Sequence, residues 1–301
     1  MAQTSSFGGQ RLLVVAFEGW NDAGDAASGA VETLEARLRL AKVWSIDPEP
    51  YYDFQFLRPE VGRAEDGRRV ISWPGVSLYG PAGGITVDEA SVTGPGAESL
   101  HVLRGGEPAR AWKAFAAEVI DAVLSADVDG IVFLGSMLAD VPHTRPLAVF
   151  ATSENAEVRQ ALGLEQSMYA GPIGIMSVLM EAAEEAGLPT ISLWVSVPHY
   201  AHALPSPKAE LALLGKLEEL TGLSIPRGEI EADAAEWEAA VNAMAQDDDD
   251  LAAYVRQLEN ARDTIDAPDA SGEAIAREFE QYLRRRGTGN AGDEPWRSGG
   301  R

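Results

Sequence analysis

The stretch "RLLVVAFEGWNDAGDAASGAVETLEARLRLAKVWSID" (residues 11–47) decides the class of fold. It opens with "RLLVVAF", a short unbroken apolar run ended by Glu18-Gly19, which reads as a strand buried on both faces. The next twenty residues place Val31, Leu34 and Leu38 on one helical face, with Asn21 or Asp22 positioned to cap the helix. "KVWSID" (42–47) reads as a second strand. Strand, helix and strand in that order form a βαβ unit, which predicts parallel sheet.

Working outward, "RRVISWP", "VSLYG" and "SLHVLRG" are β-like runs separated by Gly- and Pro-rich turns, and they predict a mixed or extended sheet. A helix is expected over 107–126, with Pro108 in its first turn. "GIVFLGS" (130–136), "PLAVFAT" (146–152) and "TISLWVSVP" (190–198) read as strands, and about 153–162, 173–187 and 206–222 as helices. From about residue 226 the texture turns acidic and Ala-rich. There Trp237, Val241, Met244, Leu251, Tyr254, Val255 and Leu258 recur at helical spacing. The expected organisation is an α/β core over 1–225, an acidic helical region over 226–286 and a disordered tail over 287–301.

Composition excludes several functions. The chain has 301 residues and no cysteine, so disulfides, thiolate chemistry and Cys-ligated metal are ruled out. Its 24 basic and 47 acidic residues leave a net charge of −23, a field that repels nucleic acid. The one dense basic cluster is Arg284, Arg285 and Arg286. No apolar run reaches the roughly 18 residues of a membrane span, and the N-terminus lacks the pattern of a signal peptide. A cytoplasmic protein without membrane attachment is expected.

Two Pro-His loops hold the candidate chemistry, "SMLADVPHTRPLAV" (136–149) and "VPHYAHALPSPK" (197–208). Both follow predicted parallel strands, and ligands of open α/β sheets gather at the carboxyl ends of strands. If those strands are neighbours, Asp140, His143, Arg145, His199 and His202 converge on one site, equipped for acid–base work or for holding an anion. The plainer reading is structural: proline fixes the path, and Asp and His stiffen the turn. His-x-x-His in such a loop is a weak metal signal, and neither a metal nor a cofactor is expected.

Three other stretches raise questions. "RGGEPARAW" (104–112) sets Gly105 and Gly106 ahead of a helix, with Arg104 and Arg110 near enough to hold an anion. "GWNDAGDAASG" (19–29) lacks the residues of a phosphate loop, and its Asp22 and Asp25 suit helix capping. "EPYYDFQFLRP" (49–59) concentrates Tyr51, Tyr52, Phe54 and Phe56, which either line the sheet or form a protein interface.

Taken together, "FEGWNDAGDAAS", "YYDFQFLRP", "GGEPARAW", "LGSMLADVPHTRP", "YAGPIGIMSVL" and "SLWVSVPHYAHALPSPKA" resemble the PAC2 (proteasome assembly chaperone 2) family, in particular its actinobacterial branch. The motifs keep the family's order over roughly residues 11–222. The resemblance implies a phosphorylase/hydrolase-like mixed sheet flanked by helices, in a homo-oligomer. Eukaryotic and archaeal relatives act as proteasome assembly chaperones, so proteasome subunits or other proteins are the implied partners. The competing implication is an enzyme or ligand binder with a nucleoside-phosphorylase-like pocket at the Asp140/His143 loop. Some prokaryotic relatives carry a carboxylate–amine ligase or ATP-grasp label, yet no ATP-grasp pattern is visible here. Archaeal relatives dock on proteasome rings with a hydrophobic-Tyr-X tail. This sequence ends "WRSGGR" and its nearest likeness, "QYL" at 281–283, is internal.

Overall fold

In the computed structural model, which describes residues 7, 10–64, 66–81 and 90–265, β1 (Leu12–Glu18) is an inner strand of a seven-stranded sheet. It pairs in parallel with β6 (His101–Gly106) on one side and β7 (Gly130–Ala139) on the other. Because side chains alternate along extended chain, Val14 and Ala16 enter one core while Leu13, Val15 and Phe17 enter the other. That double burial is why the run is apolar at every position. Each large side chain so buried is worth about 1.5–3 kcal/mol.

α1 (Ala26–Leu38) and α5 (Pro207–Thr221) cover the first face. α2 (Trp112–Ser125) and α4 (Ile175–Glu185) cover the second. The full order is β2 (Ala41–Ser45), β5 (Val76–Gly80), β6, β1, β7, β9 (Thr190–Pro198), β8 (Val149–Thr152). β5 is antiparallel to both β2 and β6, and β8 is antiparallel to β9, so the sheet is mixed. α3 (Ala156–Leu162) follows β8 and is capped by the Asn155 side chain.

One expectation is borne out in strand direction, and a second is corrected. The βαβ unit of residues 11–47 does return β2 in the direction of β1, but β5 and β6 lie between them. Periodicity sets strand direction in a βαβ unit and carries no information on strand adjacency. The helix expected from residue 107 starts at Trp112, so Pro108 is outside it. Residues 107–111 serve neighbouring segments instead: Ala109 and Arg110 N–H groups donate to Tyr51 O (2.9 and 3.2 Å), and Glu107 accepts from the Ile175 N–H at the start of α4 (2.7 Å).

"RRVISWP" also departs from the main sheet. Its β4 (Arg69–Ser72) pairs only with β3 (Glu60–Arg63), as a separate antiparallel ribbon in which every residue is exposed. The turn around Gly67 closes the chain back on itself, with Ala64 N–H to Arg68 O at 2.9 Å. The ribbon lies between β2 and β5 in the chain and leaves the sheet at the carboxyl end of its parallel strands.

α6 (Ile230–Gln246) packs along α5, and α7 (Asp249–Ile265) packs along α6. Trp237 and Val241 join Ala201 and Tyr200 in a small core of their own. Val255 and Leu258 are buried as their spacing predicts, whereas Met244 points to solvent. The expected tail over 287–301, the cluster Arg284 to Arg286 and "QYL" lie outside the described residues.

Candidate functional site

β7 and β9 are parallel neighbours in continuous register from Ile131↔Thr190 to Ala139↔Pro198. Their carboxyl ends therefore release the two Pro-His loops side by side. Asp140 and His199 meet there, Nδ1 to Oδ1 at 3.3 Å, and the Tyr254 hydroxyl of α7 donates to the same carboxylate oxygen at 2.9 Å. The His199 ring stands edge-on to Tyr200 and Tyr254, with centroids 5.6 and 5.5 Å away.

His143 is fully buried and meets different partners. Its Nε2 lies 3.1 Å from Asn242 Oδ1 of α6, and its Nδ1 lies 2.8 Å from the Tyr200 hydroxyl. An amide oxygen only accepts, so the ring proton is on Nε2 and Nδ1 accepts from Tyr200. The His143 N–H donates to the same phenol oxygen at 2.9 Å. Burial holds the His143 pKa below its ordinary value; Lys208 pushes it the same way, against the Asn242 hydrogen bond and the charges of Glu238 and Glu259. Burial also pushes the Tyr200 hydroxyl up to about 12. Both groups are thus held neutral near pH 7, as members of a fixed hydrogen-bond chain.

The rest of the first loop also turns toward the C-terminal helices. Thr144 donates to Glu259 of α7 at 2.5 Å. Arg145 grips Asp263 with two parallel bonds of 2.7 and 2.8 Å and touches Glu259 at 3.3 Å, which holds the Asp263 carboxyl below its usual range. Lys208, at the start of α5, donates to His143 O and to Glu238 of α6. His202 stays apart from this cluster. It turns its Nδ1 to His199 O and lines a cavity of about 290 Å³ with Trp20, Asp22, Asp25 and Leu204.

Asp140, His143, Arg145 and His199 are therefore grouped at the ends of adjacent strands, but all four meet α6 or α7, three of them by hydrogen bonds and His199 by its ring contact with Tyr254. Among the described residues no three His, Asp or Glu side chains are placed to hold a metal ion. Sequence reasoning missed Tyr200, Lys208, Asn242, Glu238, Glu259 and Asp263. An acidic helix reads as solvated surface, and only the alternation of its acids with the Trp237–Val241 stripe hinted at partners.

The remaining candidates are scattered. Arg104 is paired with Glu35 and Glu32 of α1 (2.6 and 3.2 Å) and stacks over Tyr79. Gly105 and Gly106 belong to strand β6, not to a turn before a helix. Gly105, at φ +150°, passes so near the Gly75 carbonyl that a Cβ would stand 2.0 Å from its oxygen. Arg110 is spent on the Tyr52 carbonyl at 2.7 Å. Asp22 does cap α1, across an intervening 3-10 turn, accepting from the Ala27 and Ser28 N–H groups at 2.8 and 3.2 Å. The aromatic stretch divides. Tyr51 and Tyr52 are core residues, bonded to Glu118 and to Gly106 O, so neither is available to an interface. Phe54 packs edge-on against Trp73, and Phe56 is exposed.

The PAC2 family model matches residues 16–245, which includes the last three residues of β1, every other strand of the main sheet, both Pro-His loops and nearly all of α6. The chain belongs to the PAC2 family. A PAC2 family protein from Streptomyces avermitilis is 40% identical, with a TM-score of 0.72 over 81% of this chain and 99% of that one. A proteasome-assembly chaperone homologue from Mycobacterium tuberculosis is 36% identical, with a TM-score of 0.68 over the same shares. An archaeal homologue of proteasome-assembly chaperone from Pyrococcus furiosus shares the fold at 17% identity and TM-score 0.54, over 83% of this chain and 94% of that one. Comparison with curated protein sequences finds no match. No helix among the described residues of this PAC2 protein is long and apolar enough to cross a membrane.

Proposed function

We propose that this PAC2 protein is a protein-binding factor of the proteasome-assembly-chaperone kind, a cytoplasmic homo-oligomer whose partners are proteasome subunits. The observation that carries this reading is the commitment of the Pro-His loops to their own chain. His143, Arg145, Asp140 and Lys208 are engaged by Asn242, Asp263, Tyr254 and Glu238, so the groups an acid–base enzyme would present to substrate are occupied. The likeness to a relative of 36% identity described as a proteasome-assembly chaperone homologue supports the same reading. Among the described residues, the engagement of His143 by Tyr200 and Asn242 argues against the competing enzyme with a pocket at Asp140 and His143.

The test mixes the purified chain with purified actinobacterial proteasome α-type subunits and follows the mixture by native mass spectrometry. A defined complex, and faster assembly of α-rings in its presence, is the expected result. Absence of any complex at micromolar concentrations contradicts the reading.

A further inference from the structure

The loop that follows β1 holds charge that helix capping does not use. With Met137 of β7 and the loop at 202–205, it lines the cavity of about 290 Å³ at the carboxyl ends of β1 and β7. Backbone bonds join these three walls. The Ser136 N–H of β7 donates to Asn21 O at 2.8 Å, and the Ser206 N–H donates to Gly24 O at 2.7 Å. The space is therefore shaped by the fold before anything enters it, which lowers the cost of binding. Its size falls near the lower end of ligand cavities, about 300 Å³, and suits a small group.

The walls carry hydrogen-bond acceptors and no Lys or Arg. Asp22 is only 6% exposed, and the bonds it accepts from the Ala27 and Ser28 N–H groups and the Ser136 hydroxyl all end on Oδ1. That leaves Oδ2 to meet a ligand in the cavity the residue lines. Asp25 precedes α1 without making a side-chain cap bond. His202 turns Nδ1 to a carbonyl, which only accepts, so Nε2 of the neutral ring is a further acceptor. Among the described residues Asp22, Asp25 and Glu18, at the end of β1, take part in no ion pair. Burial pushes the Asp22 and Glu18 carboxyls up, opposed by hydrogen bonds from Ser28 and Ala27 at Asp22 and by Arg104 at Glu18; the charge of Asp25 raises both. Buried carboxylates that lack a cation are costly, and a cation entering the cavity offsets that cost.

We propose that this cavity binds an alkylammonium or alkylguanidinium group, with its charge held by Asp22 and Asp25 and its carbon chain against Trp20, Met137 and Leu204. Met137 is buried, whereas Trp20 and Leu204 are half exposed, so apolar contact is offered both inside and at the mouth. A metal ion fits poorly, because among the described residues no three His, Asp or Glu side chains are placed to share one. An anion is repelled by the same acids. The cationic group belongs either to a small amine or to a Lys or Arg side chain of a protein partner. The site stands whichever protein the chain assembles with, so it does not rest on the reading above.

Isothermal titration calorimetry of the full chain provides the test, with n-butylammonium, n-butylguanidinium and Nα-acetyl-lysine methylamide, and with butyrate as the anionic control. Expected is saturable binding of the cations, none of butyrate, and an affinity about tenfold or more weaker in Asp22→Asn. Asparagine keeps an oxygen for the cap of α1, and circular dichroism checks that the variant stays folded. Asp25→Asn changes an exposed residue in the left-handed region, which asparagine tolerates, and should weaken binding about threefold even if Asp22→Asn does not fold. Tighter binding of the free alkyl cations than of acetyl-lysine methylamide supports the site with a small amine as its ligand. The reverse order supports it with a partner's side chain. No saturable binding of any cation at about 10 mM overturns the site. Equal binding of butyrate, or cation binding that both variants keep undiminished, overturns it as well.

Discussion

One end of the sheet, where its parallel strands finish, carries two regions of opposite character. Over β7 and β9 the Pro-His loops are rich in polar side chains, and the chain covers them itself with α6 and α7. Beside β2 and β5 the β3–β4 ribbon is rich in exposed apolar side chains, and nothing among the described residues covers it. The polar region resembles chemistry and is spent on intramolecular attachment. The apolar region resembles ordinary sheet and is exposed. Reactive residue types thus locate a site only when their partners are known, and apolar residues mean core only when something lies on them.

Predictions that break or sharpen this contrast run from large to small. Trp237→Ala removes the centre of the small core that holds α6 to Tyr200 and Ala201. It should cost about 3–5 kcal/mol of stability in urea unfolding, or detach α6 and α7 as a unit. A loss below about 1 kcal/mol would mean that the helices are not held there. His143→Ala strands the Asn242 amide oxygen and leaves the Tyr200 O–H only the longer contact to Val141 O (3.4 Å), and should cost about 1–3 kcal/mol.

The same histidine sets a pH dependence. Its folded pKa lies below the ordinary 6.5, so the unfolded chain takes up a proton that the folded chain refuses. Stability contributed by His143 is present above pH 6.5 and is lost as pH falls from there toward the lowered folded value. Lys208 faces the same ring and opposes its protonation, while Glu238 and Glu259 favour it. His143→Gln should flatten this part of the stability–pH curve, and an unchanged curve would assign the effect to other groups.

Tyr254→Phe deletes one hydrogen bond to a half-exposed carboxylate and should cost only about 0.5 kcal/mol. On the ribbon, Val61→Asp should move the stability of a single copy by no more than about 0.5 kcal/mol, measured at concentrations too low for association. A larger loss would show that the ribbon is part of the chain's own core after all.

Most of the sheet and its covering helices were legible in the sequence, for a local reason. β1, β7 and β9 are apolar at successive positions because both faces are covered, and α1 and α5 carry their buried residues at helical spacing. Strand adjacency was not legible. The separation of β1 and β2 depends on where β5 and β6 insert, and nothing within residues 11–47 encodes that. The site was legible in half. Adjacent parallel strands brought Asp140 to His199, but Asn242, Glu259 and Asp263 lie 99 to 118 residues from the loop side chains they hold, on helices whose acids look solvated. Tyr51 and Phe56, five residues apart, ended in the core and in solvent: the Tyr51 ring packs on Phe115 and its hydroxyl reaches Glu118, whereas the Phe56 ring stays exposed among the described residues.

The most direct test of the contrast is hydrogen–deuterium exchange on the Asp140→Ala/His143→Ala variant beside the natural chain. The account predicts faster exchange across α6 and α7, with the ribbon unchanged. Unaltered protection of α6 and α7 would contradict it, returning Asp140 and His143 to the pool of groups free to act on something other than their own chain.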